Sequence, residues 1–223
     1  MRNIKLLIMG FVLGIFLIPS PESRFTAHAA DLAPALVETF GHEGGLQCDK
    51  ADPGNYTGGR VGVGRHGCTK FGIATNTYPN EDIRKLTLDR AAYLYRRDFW
   101  SIMRGDRIES QILAEEIFDA AVNQGIRTAI RNAQLAVNLA YFPASPVAVD
   151  GVMGPATLAR LNGSRQDAVY VNLIGLRYGR YYSIASRNPK MMPYFRSWII
   201  RIKNNVHRAV HDYDAWLQEI PGT

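Results

Sequence analysis

The feature that most constrains the fold is the helical spacing of apolar residues, which begins at Thr87 and continues almost to the C-terminus. Apolar side chains that recur every three or four residues line one face of a helix and are buried against neighbouring elements. An earlier helix is predicted from Asp31, a favourable N-cap, to Phe40. The later spacing predicts helices over residues 88–102, 111–123, 126–140, 166–183 and 192–218, and another that opens at Pro155.

The segment between the first two helices has a different character. Residues 46–70 are rich in glycine and predict irregular or hairpin-like structure, with a turn at Asp52-Pro53-Gly54-Asn55. The alternation Val61-Gly62-Val63-Gly64 predicts a weak strand, and Thr69 to Thr75 predicts a short one. The expected fold class is therefore mainly α: a helical bundle with a small β-hairpin or loop lobe near the N-terminus.

The N-terminus has the layout of a secretory signal. Arg2 and Lys5 precede an apolar run over residues 6–18, and Ala27-His28-Ala29 supplies a small-x-small cleavage pattern. The run is short for a membrane-spanning helix, which needs about 20 apolar residues. We expect cleavage near Ala29, transient contact of residues 1–29 with the membrane, and a periplasmic or secreted product. An uncleaved anchor is the alternative.

The chain has two cysteines, Cys48 and Cys68. In an exported protein such a pair predicts a disulfide, here one that closes a loop of about 20 residues behind Glu43. Two buried free thiols are the alternative. A zinc site is not expected, because His42 and His66 do not complete a recognisable ligand pattern. We predict no metal and no cofactor.

The formal charge of +6 favours an anionic partner such as an acidic cell-wall polymer. Nucleic acid is not an expected partner, because the chain has no run of five or more Lys or Arg residues. We expect the protein to act as a monomer.

Two carboxylates stand out as candidates for acid–base chemistry. Glu43 follows the first helix and precedes two glycines, whereas Asp52 lies nine residues later in a polar turn. Cleavage of a glycosidic bond needs a protonated acid and an ionised carboxylate, and a Glu at the end of a buried helix suits the first role. Asp52 suits the second role, although a turn before Pro53 also explains an Asp at this position.

The order of four motifs resembles the glycoside hydrolase 108 family, the N-acetylmuramidases of bacteria and their phages. The motifs are Glu43-Gly44-Gly45, Asp52-x-Gly54, Thr69-Lys70-Phe71-Gly72-Ile73 and Phe118-Asp119-x-x-x-Asn123-x-Gly125. Residues 150–158 are similar to a motif in the family's C-terminal region, which is associated with peptidoglycan binding. The resemblance implies a lysozyme-like α+β fold, a muramidase region over residues 30–118 and a helical peptidoglycan-binding region over residues 119–223.

The resemblance also implies roles for residues. Glu43 is the expected acid, Asp52 the base or stabiliser, and Thr69 a residue that holds the attacking water. Phage-type lysozymes share the spacing of Glu43 and Asp52. Thr57 competes with Thr69, because a glycine-rich insertion separates Thr69 from Asp52.

Further residues are expected to contact the substrate or to support the cleft. Asn123 could bind an N-acetyl group or simply end a helix, and Gln134 could reach the sugar or lie on a solvated face. Asp119 could orient the cleft or form a surface salt bridge. The residues predicted to contact substrate are Asn123, Gly44, Gly45, Tyr56 and Gln134.

The expected function is hydrolysis of the β-1,4 bond between N-acetylmuramic acid and N-acetylglucosamine in peptidoglycan glycan strands. A lytic transglycosylase that uses Glu43 alone is the nearest alternative. A non-catalytic wall-binding or secretion-accessory protein is the alternative from another class.

Overall fold

The computed structural model describes residues 29–42, 45–141 and 145–219, without the side chains of residues 38, 41, 42, 208 and 210–219. Glu43, Gly44 and nearly all of the predicted signal segment therefore lie outside the described residues.

Helices dominate the described chain, and every predicted helix is present. They are α1 (Leu32–His42), α2 (Leu88–Tyr95), α3 (Gln111–Gln124), α4 (Ile126–Ala140), α5 (Pro155–Asn162), α6 (Gln166–Arg187) and α7 (Met192–Glu219). Thr87 caps α2, where its hydroxyl accepts a hydrogen bond from the Arg90 amide at 3.2 Å. Gly125, at a φ of +87°, separates α3 from α4.

The chain beyond α2 differs from the sequence expectation of one continuous helical stripe. A π-helical turn, Arg96–Trp100, follows α2 and changes the direction in which the side chains after it point from the helix axis. Trp100 is consequently fully buried. Leu88 and Ile102, the first and last residues of the predicted helix over residues 88–102, are 52% and 50% exposed.

The lobe between α1 and α2 contains a two-stranded antiparallel hairpin. Strands β1 (Thr69–Lys70) and β2 (Ile73–Ala74) pair Thr69 with Ala74 and Lys70 with Ile73. The single strand predicted over residues 69–75 is therefore folded back on itself. The weak strand predicted at residues 61–64 is wrong, because these residues form an exposed turn.

One hydrophobic core joins the lobe to the helices. Cys68 and Ile73 from the lobe are buried together with α3 residues such as Ile117 and α6 residues such as Leu173. The predicted boundary between residues 118 and 119 falls within α3, which packs against α1, α4 and α6. Within the described ranges, no helix is long and apolar enough to cross a membrane.

Candidate functional site

The predicted acid follows α1 in the sequence, and α1 packs against α3. At their starts, α1 and α3 are joined by a hydrogen bond from the Asp31 amide to Gln111 Oε1 at 2.7 Å, and the two helices pack together. From these starts, α1 runs for 11 residues to His42 and α3 for 14 residues to Gln124. Glu43 follows α1 directly in the sequence, and Asn123 lies on the last turn of α3.

An aromatic cluster also connects α1 with α3, through Tyr95 of α2. The Tyr95 ring lies 6.0 Å from the Phe40 ring of α1 and 6.0 Å from the Phe118 ring of α3. Phe40 stands three residues before Glu43, and Phe118 stands five residues before Asn123. The cluster therefore packs α3, which carries Asn123, and α1, which Glu43 follows in the sequence, against α2.

The predicted disulfide is present. Cys48 and Cys68 are bonded across a sequence separation of 20 residues. The backbone beside the bond forms a bridge in which the Gln47 amide donates to the Thr69 carbonyl at 2.9 Å and the Thr69 amide donates back at 2.8 Å. The segment after Glu43 is thereby attached to β1.

Asp52 is half-buried at the turn that the sequence predicts. Its Oδ1 accepts from the Gly54 amide at 2.8 Å, which is the local turn interaction. Its Oδ2 accepts from Gln47 Nε2 at 2.7 Å, which a simple turn does not need. A carboxylate offers about four acceptor positions, so two remain for water or substrate.

Thr69 joins the same hydrogen-bonded cluster through a fully buried asparagine. Thr69 Oγ1 donates to Asn55 Oδ1 at 2.9 Å, and Asn55 Nδ2 donates to Gln47 Oε1 at 2.9 Å. The chain of contacts runs from Asp52 through Gln47 and Asn55 to Thr69. Thr57 is not part of this chain, because its hydroxyl accepts from the Arg65 amide within the glycine-rich arm.

Gln47 and Asn55 are the members of this cluster that sequence reasoning missed. Asn55 was visible only as the last residue of a turn signal, and Gln47 carried no signal at all. Asn55 is distinguished by an amide side chain that is fully buried and hydrogen-bonded. Its burial depends on the tertiary structure, so the sequence does not reveal it.

The β1–β2 turn holds an unusual backbone conformation. Phe71 has a φ of +52° and Gly72 a φ of +73°. A left-handed conformation is unfavourable for a residue with a bulky side chain. The Tyr95 hydroxyl donates to the Phe71 carbonyl at 3.0 Å, and the Phe71 ring lies 5.8 Å from that of Phe40, so the surrounding helices hold this turn in place.

The structure gives other roles to two predicted substrate contacts. Gln134 is 1% exposed, and its amide bonds Asp150 Oδ1 at 2.8 Å and the Gly151 amide at 2.9 Å. It therefore supports the turn before α5 and is neither on a solvated face nor accessible to a sugar. Tyr56 is 9% exposed, with its ring 4.9 Å from His66 and its hydroxyl bonded to the Lys50 carbonyl. This burial leaves little of Tyr56 for a substrate to contact.

Gly45 is exposed at the edge of the described chain. Among the described residues, no atom lies within 4 Å of the position that a Cβ would occupy, and the φ of Gly45 is not in the left-handed range. Neither crowding nor backbone conformation therefore requires a glycine at residue 45.

Asn123 is exposed and anchored to Asp119. Its Nδ2 donates to the Asp119 carbonyl at 2.6 Å and to Asp119 Oδ1 at 3.2 Å. Asp119 is buried, so the surface salt bridge considered for it is excluded. Arg177 of α6 forms ion pairs with both Asp119 and Glu116, and Arg201 of α7 also binds Asp119.

The two buried carboxylates of this cluster differ in their proton affinity. Burial raises the pKa of Asp119, but the charges of Arg177 and Arg201 outweigh it and hold the pKa below the ordinary value. Burial raises the pKa of Glu116 above its ordinary value, and the neighbouring charge of Asp119 adds to this, despite the pairing with Arg177. The two arginine charges thus favour the ionised form of Asp119 more strongly than that of Glu116.

Comparisons with known proteins agree with the motifs. Residues 36–125 match the family described as Glycosyl hydrolase 108. No curated protein sequence matches the chain. Among solved structures, the fold is similar to that of Brucella abortus SagA, with a TM-score of 0.61 and 22% identity over 81% of this chain and 94% of that chain.

This structural likeness bears on the fold alone, and it agrees with the predicted mainly helical, lysozyme-like α+β class. The assignment to a family depends on the matched region, which contains Asp52, Thr69, Asp119 and Asn123. Residues 36–125 therefore form a glycosyl hydrolase 108 region, as the motifs predict, and this segment is the family region of the chain.

Proposed function

We propose that this glycosyl hydrolase is an N-acetylmuramidase that cleaves the β-1,4 bond between N-acetylmuramic acid and N-acetylglucosamine in peptidoglycan. The observation that carries the proposal is the hydrogen-bonded chain from Asp52 to Thr69 within the family region. It links a carboxylate and a hydroxyl that are 17 residues apart in the sequence. Such a pair can orient one water molecule for attack on a sugar carbon.

The proposed mechanism uses two carboxyl groups in opposite protonation states. Glu43 donates its proton to the leaving glycosidic oxygen as the bond to the anomeric carbon breaks. A water held by Asp52 and Thr69 attacks that carbon and gives its proton to Asp52. A single displacement of this kind inverts the configuration and needs carboxyl groups about 6.5–9.5 Å apart.

The charge distribution supports an anionic polymer as the substrate. Residues 168–211 contain eight Lys or Arg residues and no Asp or Glu. Among these basic residues, Arg180, Arg187, Lys190 and Arg196 are exposed on or beside α6 and α7. An exposed basic surface raises the local concentration of a polymer that carries carboxylates.

The first experiment tests the acid. Glu43→Gln should reduce the release of saccharides from purified peptidoglycan by at least about a hundredfold, the usual contribution of a general acid. Asp82→Gln is a matched control, because Asp82 is an exposed acid of the same lobe. Activity retained in Glu43→Gln would contradict the assignment of Glu43 as the catalytic acid.

The second experiment separates hydrolysis from transglycosylation. Mass spectrometry of the released muropeptides should show reducing ends that have gained water. Asp52→Asn, which keeps an acceptor for the Gly54 amide, should abolish this release. Anhydro-muramic products that persist in Asp52→Asn would instead identify a lytic transglycosylase, and binding without any release would identify a non-catalytic wall protein.

We further propose export through the N-terminal signal. The basic residues, the apolar run and the small residues before Ala30 support this proposal. N-terminal sequencing of the mature protein from the periplasm or medium should begin near Ala30. A full-length protein retained on the membrane would support an uncleaved anchor instead.

A further inference from the structure

The Asp119 carboxylate binds four side chains, and each of its oxygens has its own partners. Oδ1 accepts from Arg201 Nε at 2.7 Å and from Asn123 Nδ2 at 3.2 Å. Oδ2 accepts from Arg177 and from Asn205 Nδ2, the latter at 3.2 Å. Asn123 and Arg201 therefore share a single oxygen atom.

The two Asp119 oxygens that Asn123 contacts fix the orientation of the Asn123 amide. A carboxylate and a backbone carbonyl can only accept hydrogen bonds. The NH₂ group of Asn123 must therefore point toward Asp119, and its Oδ1 must point the other way. Among the described residues, no hydrogen-bond partner is seen for this Oδ1, and Asn123 is exposed.

Three of the four side chains that bind Asp119 lie outside the family region. Asn123 lies in the family region, whereas Arg177, Arg201 and Asn205 belong to α6 and α7, well beyond residue 125. Arg201 is 82 residues from Asp119. The orientation of a residue in the family region therefore depends on helices outside it.

We infer that Asp119 is a positioning residue that presents Asn123 Oδ1 as a hydrogen-bond acceptor for an N–H group of the substrate. Arg201 of α7 in turn fixes the position of the Asp119 carboxylate. The inference rests on the proposed function, because the acetamido groups of the two sugars supply such N–H donors. Asn123 lies on the last turn of α3, which packs against α1, the helix that Glu43 follows in the sequence.

A double-mutant cycle with purified, peptidase-treated glycan strands as the probe tests this inference. Asn123→Ala and Arg201→Gln should each raise KM about tenfold, the effect of one hydrogen bond to substrate, with little change in kcat. The double variant should be no worse than Asn123→Ala, because Arg201 acts through Asn123. Arg201→Lys should recover most of the loss, and Asn204→Ala, an exposed and uncharged change on α7, should have no effect.

Three results would overturn the inference. KM effects that multiply in the double variant would show that Arg201 acts independently, and an effect of Arg201→Gln on stability alone would make it structural. An unchanged KM in Asn123→Ala, with normal release by the wild type, would reject the Asn123 contact and leave the proposed function standing. Should Arg201→Gln fail to fold, Asn205→Ser replaces it in the cycle, and a wild type that releases no saccharide would reject the proposed function itself.

Discussion

At residue 45 the described part of the chain gives no reason for a glycine. A Cβ there would meet no atom of the described residues within 4 Å, and the backbone is not left-handed. The residue follows Glu43-Gly44, and a glycine at this place lets a bulky ligand approach the backbone closely. This contrasts with Gly105, where an added Cβ would lie 2.2 Å from the Trp100 ring and packing alone requires glycine.

Gly45→Ala should therefore affect the enzyme and not the fold. We expect the free energy of unfolding to change by less than about 0.5 kcal/mol, as for surface substitutions elsewhere. KM for glycan strands should rise severalfold, because the methyl group occupies space that the substrate uses. Urea denaturation and steady-state kinetics measure the two effects. A variant with normal KM would show that substrate does not approach residue 45.

At the scale of elements, the lobe depends on covalent and hydrogen-bonded connections more than on regular strands. Its two strands contain two residues each, and the arm between Tyr56 and His66 is mostly turn. The disulfide attaches this lobe to the core, where Cys68 is fully buried. The hydrogen-bonded residues that link Asp52 to Thr69 adjoin that bond, because Gln47 precedes Cys48 and Thr69 follows Cys68 in the sequence.

Replacement of both cysteines by alanine should destabilise the protein by about 3 kcal/mol, the loop-closure entropy for a loop of this length. Urea unfolding of the oxidised wild type and of Cys48→Ala/Cys68→Ala measures the difference. Activity should fall more steeply with temperature in the variant, because the lobe carries Asp52 and Thr69. Reductant is the internal control: it should weaken the wild type and leave the variant unchanged. Equal stability of the two proteins would contradict the prediction.

At the scale of the whole molecule, the family region and the C-terminal helices form a single unit. The predicted division at residues 118 and 119 falls within α3, and the apolar core continues across it. Arg177 contributes the most buried connection, because its guanidinium is 1% exposed and pairs with Glu116 and Asp119 of α3. Removal of one partner from such a cluster leaves buried charge without compensation.

Arg177→Met should lower the free energy of unfolding by about 3–5 kcal/mol, a value typical of broken buried ion pairs. Arg180→Met is the matched control, because Arg180 is exposed on the same helix, and it should change stability by less than about 0.5 kcal/mol. Chemical denaturation of the three proteins near pH 7 makes the comparison. A loss of under about 1 kcal/mol in Arg177→Met would show that the carboxylates find other compensation.

The helices, the turn at Asp52 and the disulfide were predictable from the sequence alone, because periodicity, capping and cysteine pairing leave local or simple signals. Such local signals do not predict contacts between side chains of distant elements. The link from Asp52 to Thr69 through Gln47 and Asn55, the burial of Tyr56 and Gln134, and the clustering of Glu116 and Asp119 with Arg177 and Arg201 depend on long-range packing. Burial converts ordinary polar residues into obligatory partners, and only the tertiary structure decides which ones are buried together.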